Sequence, residues 1–317
     1  VIMTANILIK TSKIIALPLD APVEQEKQAV RALAPCRLQW RSGKLWVKPS
    51  PAGERPTLPA LASEQWAIEC LQRSSVRLVC LDPALEEEGI IGWANVCKQA
   101  NKKVVLRVSS RDREFQTPCS LSWWFKRSLD WIAAALMLLL LSPVCLGLAW
   151  LIRRTSPGPI FFRQWRVGKR GQLFEIVKFR SMVFGAERQH HQVMGEQAGL
   201  HKRQDDPRIT PLGAWMRKYS LDELPQLINV MRGEMSLVGP RPWALYDALR
   251  LGDIGKQRLK ALPGITGPWQ VEARSNLLDL EGASQYDLEY LRNWSLWRDI
   301  KLLVMTIPKV VSGFGAY

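Results

Sequence analysis

Histidine is scarce, three in 317 residues, and the six cysteines (Cys36, Cys70, Cys80, Cys97, Cys119 and Cys145) include no Cys-x-x-Cys pair. Structural zinc and dithiol redox chemistry are therefore poorly supported. Neither a GxGxxG nor a GxxxxGK[ST] string occurs, so the sequence offers no dinucleotide fingerprint or P-loop. The start, Val1 to Ala16, is apolar only in short pieces interrupted by Lys10 and Lys13, and has no signal-peptide core; secretion is not expected. Five of the cysteines precede the main apolar run, and they read as reduced and cytoplasmic. Acidic residues are also short, 29 against 44 Lys and Arg, and the excess of +15 lies mainly after residue 120. Such a surface suits nucleic acid, anionic lipid or phosphorylated substrates, and charge alone does not choose among them.

The apolar residues narrow the choice. Trp131 to Trp150 is a 20-residue run without a charge, long enough as a helix to cross a bilayer. Ten of the fourteen tryptophans follow residue 120, and Trp123, Trp124, Trp131 and Trp150 bracket the run as interfacial rings would. Ser142-Pro143 interrupts it, where proline removes an amide donor and a bend is expected. Lys126 and Arg127 flank one end, Arg153 and Arg154 the other, so the positive-inside rule gives no orientation. A hairpin-like, re-entrant path with both basic ends on the cytoplasmic face is favoured; a kinked span is the alternative.

Three regions follow. Residues 1–118 read as an α/β accessory domain with regulatory, assembly or structural duties. Its strand-like runs are Leu45–Val47, Val76–Leu81 and Lys103–Val108. A helix over Ala84–Ala100, with Glu86, Glu87 and Glu88 in its first turn, separates the last two as in a βαβ element. Pro49 to Pro59 reads as an ordered loop. Residues 119–154 hold the membrane helix. Residues 155–317 carry the motifs. Two short extended pieces, Phe161–Arg166 and Leu173–Phe179, are joined by a Gly168–Gly171 turn. Helices are expected at Pro211–Tyr219, Pro225–Met231, Pro242–Leu251 and Tyr286–Val311. Trp294 and Trp297 among Arg292, Arg298 and Lys301 suit a surface helix at the lipid boundary. His190, His191 and His201 fit a solvated loop better than a metal site, and Asp205-Asp206 before Pro207 fits a turn.

The string YSLDELPQLINVMR, Tyr219 to Arg232, has two readings. Ser220 and Glu223 have the spacing of a capping box, with Asp222 favourable near the positive helix end, although Pro225 competes for the first helical position. The surroundings favour chemistry. KFRSM at 178–182, DPRIT at 206–210 and GPRP at 239–242 lie within sixty residues of the acidic pair, and Lys178, Arg180 and Arg241 are suited to neutralising phosphate oxygens. Two carboxylates among cations beside a membrane segment match phosphoryl transfer to a lipid: one acid can hold Mg²⁺ with substrate phosphate, the other can attack phosphorus.

Over residues 121–317 the chain resembles the bacterial sugar transferases, the monotopic polyprenyl-phosphate phosphoglycosyl transferases. The matching strings are SPGPIFFRQ at 156–164, KFRSM at 178–182, SLDELPQL at 220–227, MSLVGPRP at 235–242, PGITGPWQV at 263–271 and NWSLWRDIKLL at 293–303. The resemblance implies an α+β, mainly helical, monotopic catalytic domain with a re-entrant helix broken at a Ser-Pro pair, here Ser142-Pro143, on the cytoplasmic face of the inner membrane. It implies that Asp222 attacks the β-phosphate of a UDP-sugar, that UMP leaves, and that polyprenyl phosphate then takes the phosphosugar. It also implies Glu223 as the Mg²⁺ ligand and Arg241, with Pro240, at the nucleotide or phosphate groups; Arg208 is a further candidate contact. Where the family often has a small-Gly-Arg-Ser run, this chain has Glu272-Ala273-Arg274-Ser275, which bears on that loop's shape. The resemblance does not cover the first 118 residues, and the family's usual four-helix membrane bundle is not expected within them. A homodimer is left open, as is a non-catalytic membrane scaffold that holds anionic lipid. Nucleic-acid binding fits the charge but neither the apolar run nor the acidic pair.

Overall fold

The computed structural model describes residues 33–50, 63–107, 121–186, 206–273 and 280–313. The Pro49–Pro59 loop beyond residue 50, the three histidines, Asp205, Cys119 and Arg274-Ser275 lie outside them.

The N-terminal unit is a four-stranded sheet in the order β1 (Cys36–Arg41), β2 (Lys44–Pro49), β3 (Leu78–Leu81), β4 (Lys103–Leu106), covered by α1 (Glu64–Arg73) and α2 (Glu86–Gln99). β1 pairs antiparallel with β2; β2, β3 and β4 run parallel. The expected βαβ element is β3–α2–β4, and its acidic first turn begins at Glu86. β1 and α1 are additions to the expected set. The five described cysteines are unpaired. Burial pushes the Cys97 thiol up to about 12, so it packs as an inert hydrophobe.

α3 (Leu121–Thr155) is one helix of 35 residues, unbroken at Pro143. Proline cannot donate to the carbonyl of Leu139 four residues back, and the Ser142 hydroxyl donates to it instead at 2.7 Å. The Ser-Pro pair thus supplies its own missing donor. Only 11% of the helix's most apolar window is buried, and Leu139, Leu140 and Leu146 are 70%, 74% and 72% exposed. The basic ends differ from expectation. Lys126 is buried against Asp299 at 2.6 Å and Asp130 at 3.6 Å. Arg127 donates to the carbonyls of Met235 and Val230. Because carboxylates and carbonyls consume these two cations, the charges left exposed at the helix ends are Arg153 and Arg154.

After α3 comes the hairpin β5 (Phe161–Val167) and β6 (Leu173–Phe179), paired Phe161 with Phe179 through Val167 with Leu173. Its turn holds the expected Gly168–Gly171 segment as a 3₁₀ turn with Arg170 left-handed. α4 (Pro211–Lys218) starts as expected, capped by Thr210. A 3₁₀ turn, Leu221–Glu223, precedes α5 (Gln226–Met231), and β7 (Ser236–Val238) pairs parallel with β8 (Gly264–Thr266). Between them lie α6 (Leu245–Leu249) and α7 (Asp253–Gln257); the helix expected over Pro242–Leu251 shrinks to α6. The helix expected over Tyr286–Val311 is two, α8 (Leu280–Arg292) and α9 (Leu296–Ser312). Ser295 caps the second through the amide of Arg298, and helix caps compete with continuation.

One buried apolar cluster joins the N-terminal unit to the rest: Val79, Leu81, Ile90 and Val104 pack in the same core as Val167, Leu173, Trp243 and Leu245. A second lies between β6, α5, β7 and the first half of α3, and a third between Phe179, Met216 and the second half of α3.

Candidate active site

The acidic pair sits on the 3₁₀ turn between α4 and α5. Ser220, which opens it, has φ of 51°, the left-handed region that non-glycine residues seldom occupy outside strained functional turns. An N-cap needs extended backbone, so the capping box read from the spacing does not form. What forms instead is a tight turn presenting two adjacent carboxylates.

Glu223 faces a small cleft lined by Arg166, Ile176, Lys178, Gln226, Arg241, Pro242, Gly264 and Ile265. Lys178 Nζ lies 2.7 Å from Glu223 Oε1, and an Arg241 guanidinium nitrogen 3.8 Å from the same oxygen. Asp222 is not part of that lining; it is 8% exposed. Among the described residues, the ion pairs fall on Glu223 and none on Asp222. Burial pushes the Asp222 carboxyl above the ordinary range; Lys178 and Arg217 partly offset this, while Glu223 adds to it. Burial likewise lowers the Lys178 ammonium, with Glu223 holding it up.

The hairpin register explains how cations reach this turn. Arg166 and Gln164 on β5 share one face with Phe174, Ile176 and Lys178 on β6, because strand side chains alternate. Phe174 and Ile176 anchor that face in the core, leaving Arg166 and Lys178 toward the cleft. Asn229 of α5, fully buried, ties the helix to β6: its Oδ1 accepts from Val177 N at 3.0 Å and its Nδ2 donates to Glu175 O at 2.7 Å. The amide takes the place of a third strand, holding Lys178 in register with Glu223.

Arg241 is delivered by a crossing of two glycine-containing strings. Gly239 N donates to Thr266 O at 3.0 Å and Gly264 N to Pro240 O at 2.9 Å. A Cβ on Gly264 would come within 2.1 Å of Gly239 N, so GPRP and PGIT need both glycines to cross this closely. Behind it, Arg258 donates to the Arg241 carbonyl and pairs with buried Asp287, whose carboxyl burial pushes up to about 6 against the pull of Arg258.

The structure therefore brings together Asp222, Glu223, Lys178 and Arg241, with Pro240 one residue away. Arg180 and Arg208 are committed elsewhere. Arg180 donates to the carbonyls of Ser156 and Pro157, closing the turn after α3. Gly158, at φ of 111°, makes room for it: a Cβ there would sit 2.3 Å from its guanidinium. Arg208 is buried in a two-pronged pair with Asp206, at 2.8 and 2.6 Å. Each guanidinium is spent on an internal acceptor, and neither lines the cleft as the expected phosphate contact. Two participants were missed, Arg166 in the cleft and Arg217, which lies within electrostatic reach of Asp222 and donates to Ser181 at 2.8 Å. Alternation along FFRQWRV puts Arg166 on one face of the strand, but pairing with β6 decides that this face meets the cleft.

Among the described residues, no group of three or more His, Cys, Asp or Glu forms a metal cage. Two adjacent carboxylates fit a different mode, in which Mg²⁺ keeps waters and is held by one or two protein acids together with substrate phosphate.

A turn-borne acid pair faces basic residues, in a domain that also carries an exposed helix long and apolar enough to cross a membrane. Residues 121–313 match the bacterial sugar transferase family, and the chain belongs to it. It is 42% identical over 197 residues to the galactosyl transferase CpsE of Streptococcus agalactiae, covering 60% of this chain and 43% of that protein. It is 41% identical over 202 residues to the exopolysaccharide production protein ExoY of Rhizobium meliloti, covering 61% and 88%. A UDP-glucose:undecaprenyl-phosphate glucose-1-phosphate transferase of Escherichia coli is 40% identical over 213 residues, covering 64% and 44%.

Proposed function

We propose that this chain transfers a sugar 1-phosphate from a UDP-sugar to polyprenyl phosphate in the bacterial inner membrane, initiating an exopolysaccharide or related glycan. The observation that carries the reading is the asymmetry of the acidic pair: Glu223 is ion-paired to Lys178 and Arg241, while Asp222 is buried and outside those pairs. A carboxylate attacks phosphorus best when desolvated and not neutralised by a contacting cation, which assigns the attack to Asp222. Its oxygen bonds to the β-phosphorus, the bond from that phosphorus to the bridging oxygen breaks, and UMP departs with the electron pair. An oxygen of polyprenyl phosphate then attacks the same phosphorus, the acyl phosphate bond breaks, and Asp222 is regenerated with polyprenyl diphosphate sugar. Lys178, Arg166 and Arg241 neutralise the donor's diphosphate, and Pro240 fixes the approach of Arg241. Glu223 would hold Mg²⁺ against that diphosphate, where the ion supplies charge neutralisation, and Asp222 is left free of a contacting cation for the attack.

The membrane path follows from how α3 is held. Ala134, before the Ser142-Pro143 pair, and Leu148 and Ile152, after it, all pack on the domain that carries the site. Arg127 and Arg180 fix the two ends to it by hydrogen bonds. A full crossing would put the two halves of α3 on opposite sides of a ~30 Å hydrocarbon layer, where one polar domain could not pack against both. The re-entrant path with a cytoplasmic catalytic domain is therefore preferred. α9 adds a face of Trp297, Val304, Ile307 and Val311, 58–75% exposed, suited to lying along the same interface.

The test is UMP release from a series of UDP-sugars with undecaprenyl phosphate and Mg²⁺. Asp222→Asn should abolish release and labelling of the protein by donor carrying radioactive β-phosphate. Full turnover by that variant rules the mechanism out. Labelling of native cysteines in sealed vesicles of both orientations decides the path, since access to Cys70 and to the catalytic domain from opposite sides excludes re-entry.

A further inference from the structure

We infer that α2 of the N-terminal unit is a brace that sets the position of the cation-bearing hairpin, with Asn95 and Lys98 as positioning residues acting through Trp165 and Glu175. The inference rests on the reading of the cleft as the site for donor phosphates.

The hairpin has two working faces. One carries Arg166 and Lys178 toward Glu223. The opposite face carries Trp165 and Glu175, which are direct cross-strand partners. Asn95 and Lys98, three residues apart and so on one side of α2, take hold of that pair: the Trp165 indole donates to Asn95 Oδ1 at 2.9 Å, and Lys98 Nζ meets Glu175 at 2.6 Å. On this face Val167 and Leu173 are buried in the core of the N-terminal unit. At the hairpin's turn Gln172 forms an antiparallel bridge with Val105, next to the last residue of β4. The first turn of α2 reaches further along the site, where Glu87 acts electrostatically on Tyr246 of α6, five residues after Arg241. One helix therefore backs the strand bearing Arg166, the strand bearing Lys178 and the helix that follows Arg241.

Each of the two held residues is next in sequence to a residue of the opposite face, Trp165 to Arg166 and Glu175 to Ile176. Tilting the hairpin away from α2 moves Arg166 and Lys178 together relative to Glu223, because a paired two-stranded ribbon moves as a unit. The donor should therefore bind less well before the protein loses its fold.

The experiment uses the full chain in phospholipid nanodiscs. Asn95→Leu, Lys98→Glu, Glu175→Lys and the exchanged pair Lys98→Glu with Glu175→Lys are compared for kcat and KM of UMP release, for binding of UDP, and for thermal unfolding. Asn95→Leu should raise the KM for UDP-sugar and the Kd for UDP about three- to ten-fold, the range of one lost hydrogen bond, with kcat changed less. Lys98→Glu and Glu175→Lys should each weaken UDP, and the exchanged pair should restore binding to within about two-fold of wild type. Unchanged KM and Kd in Asn95→Leu and Lys98→Glu overturn the inference. So does a loss that tracks the unfolding midpoint in every variant and is not restored by the exchange. A wild-type chain that neither releases UMP nor binds UDP overturns the transfer reading itself, and the brace with it.

Discussion

Asn229 offers the sharpest test of how the fold builds the site. Its side chain is fully buried, bonds to the β6 backbone on both sides of Ile176, and donates to Glu234 at 2.6 Å. Asn229→Ala leaves the Val177 amide and the Glu175 carbonyl without that partner, at about 1–3 kcal/mol for each buried group orphaned. A total of about 2–6 kcal/mol follows, or a fall of about 4–24 °C in Tm at about 2–4 °C per kcal/mol for a body of this size. Asn229→Asp is more telling. It keeps the acceptor to Val177 but turns the donor into an oxygen facing the Glu175 carbonyl and the Glu234 carboxylate. Burial already pushes the Glu234 carboxyl up, and a second carboxylate at that distance pushes it further. The pair then keeps a shared proton in the folded state that the unfolded chain releases, so the folded state binds more protons. Stability must fall as pH rises, by about 1.4 kcal/mol per pH unit per extra proton. Thermal unfolding in nanodiscs from pH 5.5 to 8.5, with the wild-type curve subtracted, should show the Asn229→Asp deficit growing with pH more steeply than the Asn229→Ala deficit, in which Glu234 loses only a donor. A pH-independent deficit in Asn229→Asp, or an Asn229→Ala cost below about 0.5 kcal/mol, refutes the strand-mimicking role.

Lys178→Met should lower turnover about 10²–10³-fold, the usual effect of removing one preorganised charge partner, with partial recovery in Lys178→Arg, measured by UMP release. The pH profile of kcat/KM should be bell-shaped. Asp222 must be ionised, so its acid limb lies above the ordinary aspartate value of 3.8; Lys178 must be protonated, so its alkaline limb lies below 10.5. Asp287→Asn strips the partner from buried Arg258 and should destabilise the fold by about 3–5 kcal/mol in a denaturant titration. Val304→Asp with Ile307→Asp places two charges on the exposed apolar face of α9 and should weaken vesicle co-flotation without lowering the unfolding midpoint in detergent.

Sequence reading reached the elements whose signals are local. β3, α2 and β4 were visible because Val76–Leu81 and Lys103–Val108 are apolar runs on either side of a helix with an acidic start. β1 and α1 were not, since CRLQWR exposes most of its length and EQWAIECLQR buries only Ala67, Ile68 and Leu71. The α8–α9 break was legible in principle from Ser295 but was overridden by the apolar residues on both sides of it. Long-range pairing is what a single sequence hides. Arg180 and Arg208 have the chemistry of phosphate ligands, and nothing in KFRSM or DPRIT says that one would bond the carbonyls after α3 and the other Asp206. Arg166 was hidden for the opposite reason: it becomes a site residue only when β5 is registered against β6.

The charges at the start of α3 follow the same logic and bear on the membrane. Lys126, Asp130 and Asp299 are 3–5% exposed and paired with one another, Ser236 donates to Asp130 at 2.7 Å, and Tyr290 donates to Asp299 at 2.5 Å. Buried ion pairs add little net stability, but removing one partner leaves a charge that has nowhere to go. The network joins α3 to β7, α8 and α9, so the apolar helix cannot withdraw from the domain without exposing it. That fixes the first turns of α3 at the depth of the acidic pair's own domain. Lys126→Met should therefore release α3 and α9 together, read as increased protease access at both, whereas a mere interfacial lysine would change neither.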